Sequence, residues 1–331
     1  MDYIQLGTPE ADAILASAPF ETHPRLTQIA MTERPTEFIA ERALPSINTA
    51  FDFKYSKGIT EDQYTVPETR ASRAGRLTEV EFGQNLATGS CEDRGLLAYV
   101  PQRDIAQARQ QQAAWDPMAE ASMGLTQLMD LDREVRVAGI VFNDSNYPTG
   151  HKDTLSGNGQ FSNAASDPIK VIRDAKRACI TTPDTMIFGV EAWDVFCQHG
   201  DILQATRMTG AGSGADGDKG YATEEAVGRL FGMRVVVGRE RRQTANRGQA
   251  SSFSFIWGKH IALLKVSRPG GSRSQMPSWG FTARAMDRGV MTSMEPSRGV
   301  GRGSRVIKVS ECTGEVISWN SAGYFFKNAV A

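Results

Sequence analysis

The stretch at residues 116–144 constrains the fold most, because it predicts a single uninterrupted amphipathic helix. Asp116 can accept hydrogen bonds from the free N–H groups of the first turn, and Pro117 stands where a missing N–H has no cost. Apolar residues then recur at helical spacing: Met118, Ala121, Leu125, Leu128, Val135, Ala138 and Phe142. At ~1.5 Å per residue such a helix is roughly 40 Å long. A helix of this length needs a large surface to lie against.

The composition indicates a soluble globular protein of two or three domains. The chain has 331 residues, of which 40% are hydrophobic and 23% are charged. A formal net charge of −1 argues against nucleic-acid binding through a general basic surplus. The first residues lack a basic segment followed by an apolar one, so we expect no signal peptide. No apolar run is long enough to cross a bilayer, so we expect no membrane association.

The cysteines predict free thiols rather than a disulfide framework. Cys91, Cys179, Cys197 and Cys312 are far apart in sequence and form no CxxC pair. This usage is typical of a protein made in a reducing cytosol.

The first 95 residues predict extended structure. Residues 1–45 combine frequent prolines with large apolar side chains, which predicts an arm that lies on another surface. Residues 46–95 predict a long hairpin, because Phe51, Phe53 and Tyr55 alternate with polar residues and a second strand-like run follows at 76–82. Two strands alone are marginally stable in water, so we expect this hairpin to rest on a neighbour.

Residues 96–180 predict a short helix from Arg103, the long helix, and a third helix begun by Asp167 and Pro168. Residues 181–266 alternate strands with helices and predict a compact α/β lobe. Its strands are expected at 185–188, 233–237, 253–257 and 261–266.

Within this lobe, Thr223 predicts a helix N-cap and Gly232 the end of the same helix. A Gly-rich loop at 210–220 interrupts the lobe. Residues 267–331 are first rich in Gly and Arg and then predict strands at 305–309, 315–319 and 324–326.

No residue pattern points to a catalytic, cofactor-binding or metal-binding site. His23, His151, His199 and His260 have no partner at ligand spacing. The loop at 210–220 lacks the Gly-Lys-Ser/Thr ending of a phosphate loop, and no nucleophile motif is present. Neighbouring carboxylates, such as those of residues 130 and 132, are explained by helix faces. We therefore predict no catalytic residue, no cofactor, no metal and no enzymatic activity.

A basic run formed by Arg239, Arg241, Arg242 and Arg247 has two interpretations. It could contact phosphate, or it could pair with acidic residues of a second copy of the chain. The balanced net charge favours the second interpretation.

The order of these parts resembles the major capsid proteins of tailed bacteriophages. Arm, hairpin, short helix, long helix, α/β lobe and returning strands follow one another as in the Hong Kong 97 type of fold. Local likeness is carried by 95–104, 154–157, 166–168, 183–189, 193–202 and 221–238. The resemblance covers most of the chain after Phe51 and is clearest from 93 to 266. It implies an α+β capsid fold with five parts: arm 1–45, extended hairpin 46–95, peripheral domain 96–180 with a spine helix at 116–144, axial domain 181–266, and strands 267–331 that return to the peripheral domain.

The resemblance also implies a structural head protein. Such a subunit self-assembles as hexamers and pentamers into an icosahedral shell around the double-stranded DNA of the phage, which the inner face contacts without sequence specificity. The short arm implies a separate scaffolding protein, and the family implies a portal; decoration proteins are left open. The expected location is the virion, after assembly in the bacterial cytoplasm. The alternatives are an encapsulin-like compartment shell and an unrelated soluble hydrolase.

Overall fold

We analysed a computed structural model that describes residues 21–22, 26–27, 38–57, 66–70, 75, 79, 85–110, 116–208, 220–246, 248–267, 278–298 and 303–331. The helices are α1 Ala40–Ala43, α2 Gln102–Gln110, α3 Pro117–Val141, α4 Pro168–Ala178, α5 Val190–Phe196, α6 Gly200–Met208 and α7 Glu224–Phe231. The strands are β1 Glu21–Thr22, β2 Ser46–Asn48, β3 Asp52–Ser56, β4 Leu86–Ser90, β5 Glu92–Pro101, β6 Lys152–Thr154, β7 Thr185–Gly189, β8 Arg234–Gly238, β9 Arg241–Gln243, β10 Phe253–Phe255, β11 Ile261–Leu264, β12 Gly280–Glu295, β13 Ser304–Ile317 and β14 Gly323–Lys327.

The chain divides into two compact units. The first unit takes its described residues from Met1–Thr36, Cys91–Asp132 and Arg284–Thr313. The second unit takes them from Glu37–Ser90, Arg133–Ala283 and Gly314–Ala331. Both units are discontinuous in sequence, whereas the five predicted parts are continuous segments, so those parts stay predictions.

The second unit is built on a five-stranded sheet in the order β6-β14-β11-β7-β8. β7 pairs parallel with β8 and antiparallel with β11, and β14 pairs parallel with β6. Side chains alternate between two cores: Met186 and Phe188 enter one, and Ile187 enters the other. Because strand side chains have a period of two, burial on both faces produces the continuous apolar runs of the predicted strands. The strands expected at 185–188, 233–237, 261–266 and 324–326 are confirmed within about two residues.

The predicted helix ends of this unit are also confirmed. Thr223 caps α7 by accepting from the backbone N–H of Ala226, and Gly232 ends it in the left-handed conformation with φ of 62°. Asp167 caps α4 through the N–H of Lys170, with Pro168 in the first turn. The Gly-rich loop predicted at 210–220 lies, apart from Gly220, outside the described residues.

The long helix is present but shorter than predicted. Asp116 caps its start, because its carboxylate accepts from the N–H of Met118 at 3.0 Å. The helix ends at Val141 rather than at residue 144. There the side chain of Asn143 accepts from the N–H of Ser145 and begins a separate 3₁₀ turn.

The predicted apolar stripe of α3 is partly wrong. Leu125 and Ala138 are buried, but Leu128 is 53% exposed. Met129, Val137 and Val141 are buried in addition. The stripe therefore drifts around the helix, because 3.6 residues per turn do not return the same face every seven residues.

The first unit is built on long antiparallel strands. The sheet order is β1-β12-β13-β5, and β5 pairs with β13 from Ser304↔Pro101 to Thr313↔Glu92. Its core contains Leu26, Val100, Ile105, Leu125, Met129, Val290, Ile307 and Val309. The separate strands predicted at 305–309 and 315–319 are one strand, β13, since Ser310 and Glu311 continue the pairing with β5. β5 and the 16-residue β12 were not predicted.

The predicted hairpin exists, with a different second strand. β3 pairs with β4 from Asp52↔Ser90 to Ser56↔Leu86. Most of the run at 76–82 lies outside the described residues. Of the predicted arm at 1–45, the described residues are 21–22, which pair with β12, 26–27, and 38–45, which include α1.

We expect Leu125→Asp to destabilise the subunit by about 4 kcal/mol, because it places an unpaired carboxylate in the core of the first unit. The matched control is Leu128→Asp on the same helix, which should change stability by less than about 1 kcal/mol because residue 128 is exposed. Urea unfolding of the unassembled subunit measures both. Equal midpoints for the two variants would contradict the placement of Leu125.

Candidate assembly surfaces

A buried carboxylate of the long helix holds the start of α1 in the second unit. Glu134 is fully buried, and its two oxygens accept from the backbone N–H groups of Ile39 and Ala40 at 2.9 and 2.8 Å. The indole N–H of Trp257 donates to the same carboxylate at 2.6 Å. Burial raises the pKa of Glu134 above the ordinary 4.5, and the three hydrogen bonds act in the opposite direction. Three segments distant in sequence therefore converge on one side chain.

Its neighbour Arg133 makes a second buried contact in the same unit. The guanidinium pairs with Glu41 at 2.8 Å and also donates to the hydroxyls of Ser46 and Thr282. Burial alone would raise the pKa of Glu41, but the charge of Arg133 and the hydrogen bonds from Ser46 lower it below its ordinary value. The segment that follows α1 is thus fastened to α3 by charge as well as by packing.

The first unit contains a buried ionic triad. Arg288 on β12 lies 2.7 Å from a carboxylate oxygen of Asp130 and 2.9 Å from one of Glu311 on β13. All three side chains are nearly inaccessible to solvent. Burial would lower the pKa of Arg288, but the two adjacent carboxylates raise it. Asp130 was interpreted from sequence as part of a helix face, and the structure corrects this, since it anchors α3 to β12.

The hairpin of β3 and β4 rests on one face only. Phe53 and Tyr55 pack against the ring of Phe281, with centroids 6.2 and 6.0 Å away. Gly89 lies opposite Phe53, and a Cβ there would come within 2.6 Å of that ring, so the pair requires a glycine. On the remaining surface Leu86 is 58% exposed. The hairpin therefore presents apolar area that its own unit leaves uncovered.

β5 presents a second uncovered surface, in the first unit. Leu96, Leu97 and Tyr99 are exposed, with Leu97 at 51%. A groove of about 640 Å³ lies along this surface and is lined by Leu96, Leu97, Met286 and Met291 together with Asp93 and Lys308. An exposed apolar surface with a charged rim is typical of a protein–protein contact.

Two charged surfaces occur in the second unit. A groove of about 590 Å³ between α4 and α6 is lined by Lys170, Arg173 and Arg177 together with Asp167, Asp174 and Asp201. The ribbon of β9 and β10 carries Arg241, which lies 4.2 Å over the ring of Phe255, and the exposed Phe253.

Only part of the basic run predicted around this ribbon forms an exposed basic surface. Arg239 pairs with Glu224, and Arg247 lies outside the described residues. Arg241 and Arg242 are exposed on β9. Two arginines on a short ribbon are a smaller basic surface than the four-residue run indicated.

The positions of the histidines and other metal-ligating side chains determine whether the described residues hold a shared site. His151, His199 and His260 lie apart, and His23 is outside the described residues. Within the described part of the chain, no three His, Cys, Asp or Glu residues are placed to hold a metal ion. In the same ranges no helix is both long enough and apolar enough to span a membrane. All four cysteines are free thiols, as predicted.

We expect Glu134→Ala to cost about 3 kcal/mol near pH 5, because three buried donors lose their acceptor. Burial raises the pKa of Glu134, so the folded wild type loses stability as pH rises from about 4.5 through the raised value. The difference between wild type and variant should therefore be smaller at pH 8. Gln127→Ala, at an exposed position of the same helix, is the control. Urea unfolding and hydrogen exchange at the amides of Ile39 and Ala40 are the measurements; protected amides in the alanine variant would contradict the contact.

We expect Arg288→Met to destabilise the subunit by about 3–5 kcal/mol, because two buried carboxylates lose their counter-charge. Combining Arg288→Met with Asp130→Leu and Glu311→Leu should restore most of the stability, since no buried charge then remains. Arg305→Met, at an exposed position on β13, is the matched control. A single variant as stable as this control in thermal unfolding would refute the role of Arg288.

Comparison with known proteins shows which family the chain belongs to. No family model matches the chain. The major capsid protein of Pseudomonas phage JBD67 is 34% identical over 319 residues, covering 96% of this chain and 100% of the relative. The major capsid protein of Burkholderia phage BcepMu is 24% identical over 271 residues, covering 79% and 82%.

Solved structures share the fold. A phage-related protein from Bordetella bronchiseptica has a TM-score of 0.71 at 21% identity, covering 94% of this chain and 98% of that one. The capsid of cyanophage P-SCSP1u has a TM-score of 0.54 at 10% identity, with coverages of 85% and 84%. The virus-like particle from Pyrococcus furiosus has a TM-score of 0.51 at 12% identity, with coverages of 91% and 96%. The chain therefore belongs to the family of bacteriophage major capsid proteins, has the Hong Kong 97-like α+β fold, and is a structural, non-enzymatic subunit of an oligomeric capsid shell.

Proposed function

We propose that this subunit assembles as hexamers and pentamers into an icosahedral head that encloses phage double-stranded DNA without reading its sequence. The observation that carries the proposal is the apolar surface left uncovered on the hairpin and on β5, at Leu86, Leu96, Leu97 and Tyr99. Covering exposed apolar side chains of this size with a partner is favourable. Identical copies related by symmetry are the partners that a shell supplies.

The five predicted parts take their proposed roles from this arrangement. The hairpin at 46–95 reaches across an adjacent subunit, and the arm at 1–45 lies along a neighbour. The lobe at 181–266 meets its copies at the centre of each capsomer, with the loop at 210–220 near that axis. The segments at 96–180 and 267–331 form the peripheral domain. The one-sided support of β3 and β4 by Phe281 favours the first of these roles, since the other side is free to contact another chain.

The charged surfaces favour contacts between copies over tight binding of DNA. The groove between α4 and α6 carries both basic and acidic side chains. This suits contact with a second subunit whose charges are arranged in the complementary pattern. Arg241 and Arg242 pair with acidic residues of a neighbour in this proposal. A formal net charge of −1 suits a shell that encloses DNA and lets it slide, because strong phosphate contacts require a basic surplus.

Assembly takes place in the bacterial cytoplasm, with a separate scaffolding protein and a portal as partners. The alternative is a compartment shell; the fold does not decide between the two, since a virus-like particle from Pyrococcus furiosus also shares it. The relatives named as major capsid proteins favour the phage head. Negative-stain microscopy after co-expression with the scaffolding protein of the same phage distinguishes the two. Hollow uniform particles support the head, co-purifying cargo enzymes support the compartment, and a strict monomer at high concentration contradicts both.

We expect deletion of residues 58–73 to leave a folded subunit that forms no shells, because the far part of the hairpin makes its contacts with other copies. Circular dichroism and thermal unfolding test the fold, and sedimentation with electron microscopy tests assembly. A variant in which the same residues are replaced by a Gly/Ser segment of equal length separates the effect of sequence from that of chain length. Intact shells from the deletion would contradict the proposed role of the hairpin.

A further inference from the structure

Two of the four thiols lie near one end of the pairing between β5 and β13 in the first unit. Cys91 is the single residue between β4 and β5, and Cys312 lies on β13. The register pairs Cys312 with Asp93 and Thr313 with Glu92. Residues directly opposite each other point to the same face, and so do residues two apart on one strand. Asp93 and Cys312 therefore share a face, and Cys91 lies two residues before Asp93, just beyond the end of the pairing.

The thiol of Cys312 has two of these side chains beside it. The thiol of Cys312 is within hydrogen-bonding reach of both the thiol of Cys91 and the carboxylate of Asp93. Cys312 is 1% exposed, whereas Cys91 is half-buried. Cys91 lies outside the regular strand geometry, so its backbone can adjust to the narrow range of distances that a disulfide accepts. Cys179 and Cys197 belong to the second unit.

We propose that Cys91 and Cys312 are a latent disulfide, reduced when the subunit is made and closed by a small-molecule disulfide once the particle meets an oxidising environment. The timing rests on the proposed assembly in the bacterial cytoplasm, whereas the pairing of the two thiols does not. Disulfides persist on virion surfaces and are kept reduced in the cytosol, so the same pair has a different state before and after release.

The chemistry is two thiol–disulfide exchanges with a low-molecular-weight disulfide such as oxidised glutathione. The thiolate of the accessible Cys91 attacks one sulfur of the oxidant, which forms a mixed disulfide and releases one glutathione thiol. The thiolate of Cys312 then attacks the sulfur of Cys91, forms the Cys91–Cys312 bond and releases the second glutathione. Two protein thiols are oxidised and one glutathione disulfide is reduced to two thiols. Burial, with Asp93 and Cys91 beside it, raises the pKa of Cys312 to about 12, which makes the second exchange slow at neutral pH.

The bond would join Cys91, the residue directly before β5, to Cys312 on β13. The two cysteines are far apart in sequence, so the bond closes a very long loop of the unfolded chain and restricts it strongly. It also fixes the position where the chain leaves the hairpin strand β4. A mature particle would gain this stability without a further protein.

The test counts thiols on the full-length unassembled subunit after incubation with either dithiothreitol or oxidised glutathione. The protein is then unfolded in guanidinium chloride with N-ethylmaleimide and its intact mass is measured. We expect four labelled cysteines in the reduced sample and two in the oxidised one, with a Cys91–Cys312 peptide in the non-reducing digest. The thermal midpoint of the oxidised wild type should rise by about 5 °C.

Matched variants separate the pair from the other thiols. Cys91→Ser should keep three labelled cysteines after oxidation and its thermal midpoint should not rise, whereas Cys312→Ser should keep a glutathione adduct on Cys91 and show two labelled cysteines. Cys179→Ser and Cys197→Ser should still lose two thiols. The proposal is overturned by four labels in the oxidised wild type, by a persistent glutathione adduct on its Cys91, or by a dimer joined through Cys91 on a non-reducing gel. Failure to form shells would leave this thiol count unchanged, so the two proposals fail separately.

Discussion

The long helix places charged side chains in the interior, and the second unit depends on how each is satisfied. An isolated buried carboxylate would cost several kcal/mol, but Glu134 accepts from two backbone N–H groups and an indole. Those donors belong to the start of α1 and to Trp257, so the carboxylate determines where both segments lie. Arg133, the preceding residue, does the same for Glu41 and Ser46. Packing alone would leave the segment before β2 free to slide, whereas directional hydrogen bonds to a buried charge permit one position.

The first unit uses the same principle with a different arrangement. Arg288 stands between Asp130 and Glu311, so α3, β12 and β13 are joined by charge in the middle of an otherwise apolar core. A buried ionic triad is a poor source of net stability, since desolvation offsets much of the attraction. It is an effective device for specificity, because sliding β12 by one residue would turn Arg288 to the opposite face and leave both carboxylates unpaired. Long strands with many glycines and methionines have little else to define their register.

Local signals predicted much of the fold, and the contacts distant in sequence account for what they missed. Asp116, Asp167, Thr223 and Gly232 were predicted to begin or end helices, because capping depends on residues within one turn. β12 was missed since its Arg, Gly and Met residues lack a clear two-residue alternation; its inward position for Arg288 exists only because Asp130 and Glu311 lie opposite. Leu128 was placed in the core by periodicity, although nothing in its own unit covers it. Adjacent charged residues at 133 and 134, inside the apolar half of a helix, were the available signal for a buried site.

The isolated subunit leaves surfaces uncovered where side chains make few contacts within their own unit. Phe53 and Tyr55 lie on one face of the hairpin, and Leu86 lies on the other. Phe53 and Tyr55 use one face to reach Phe281, which leaves Leu86 in water, while β5 leaves Leu97 in water in the other unit. In the proposed shell, neighbouring copies of the chain cover these side chains. Such a subunit must stay soluble before assembly and bury its apolar side chains afterwards. In the groove along β5, the uncovered apolar residues are accordingly interspersed with charged ones.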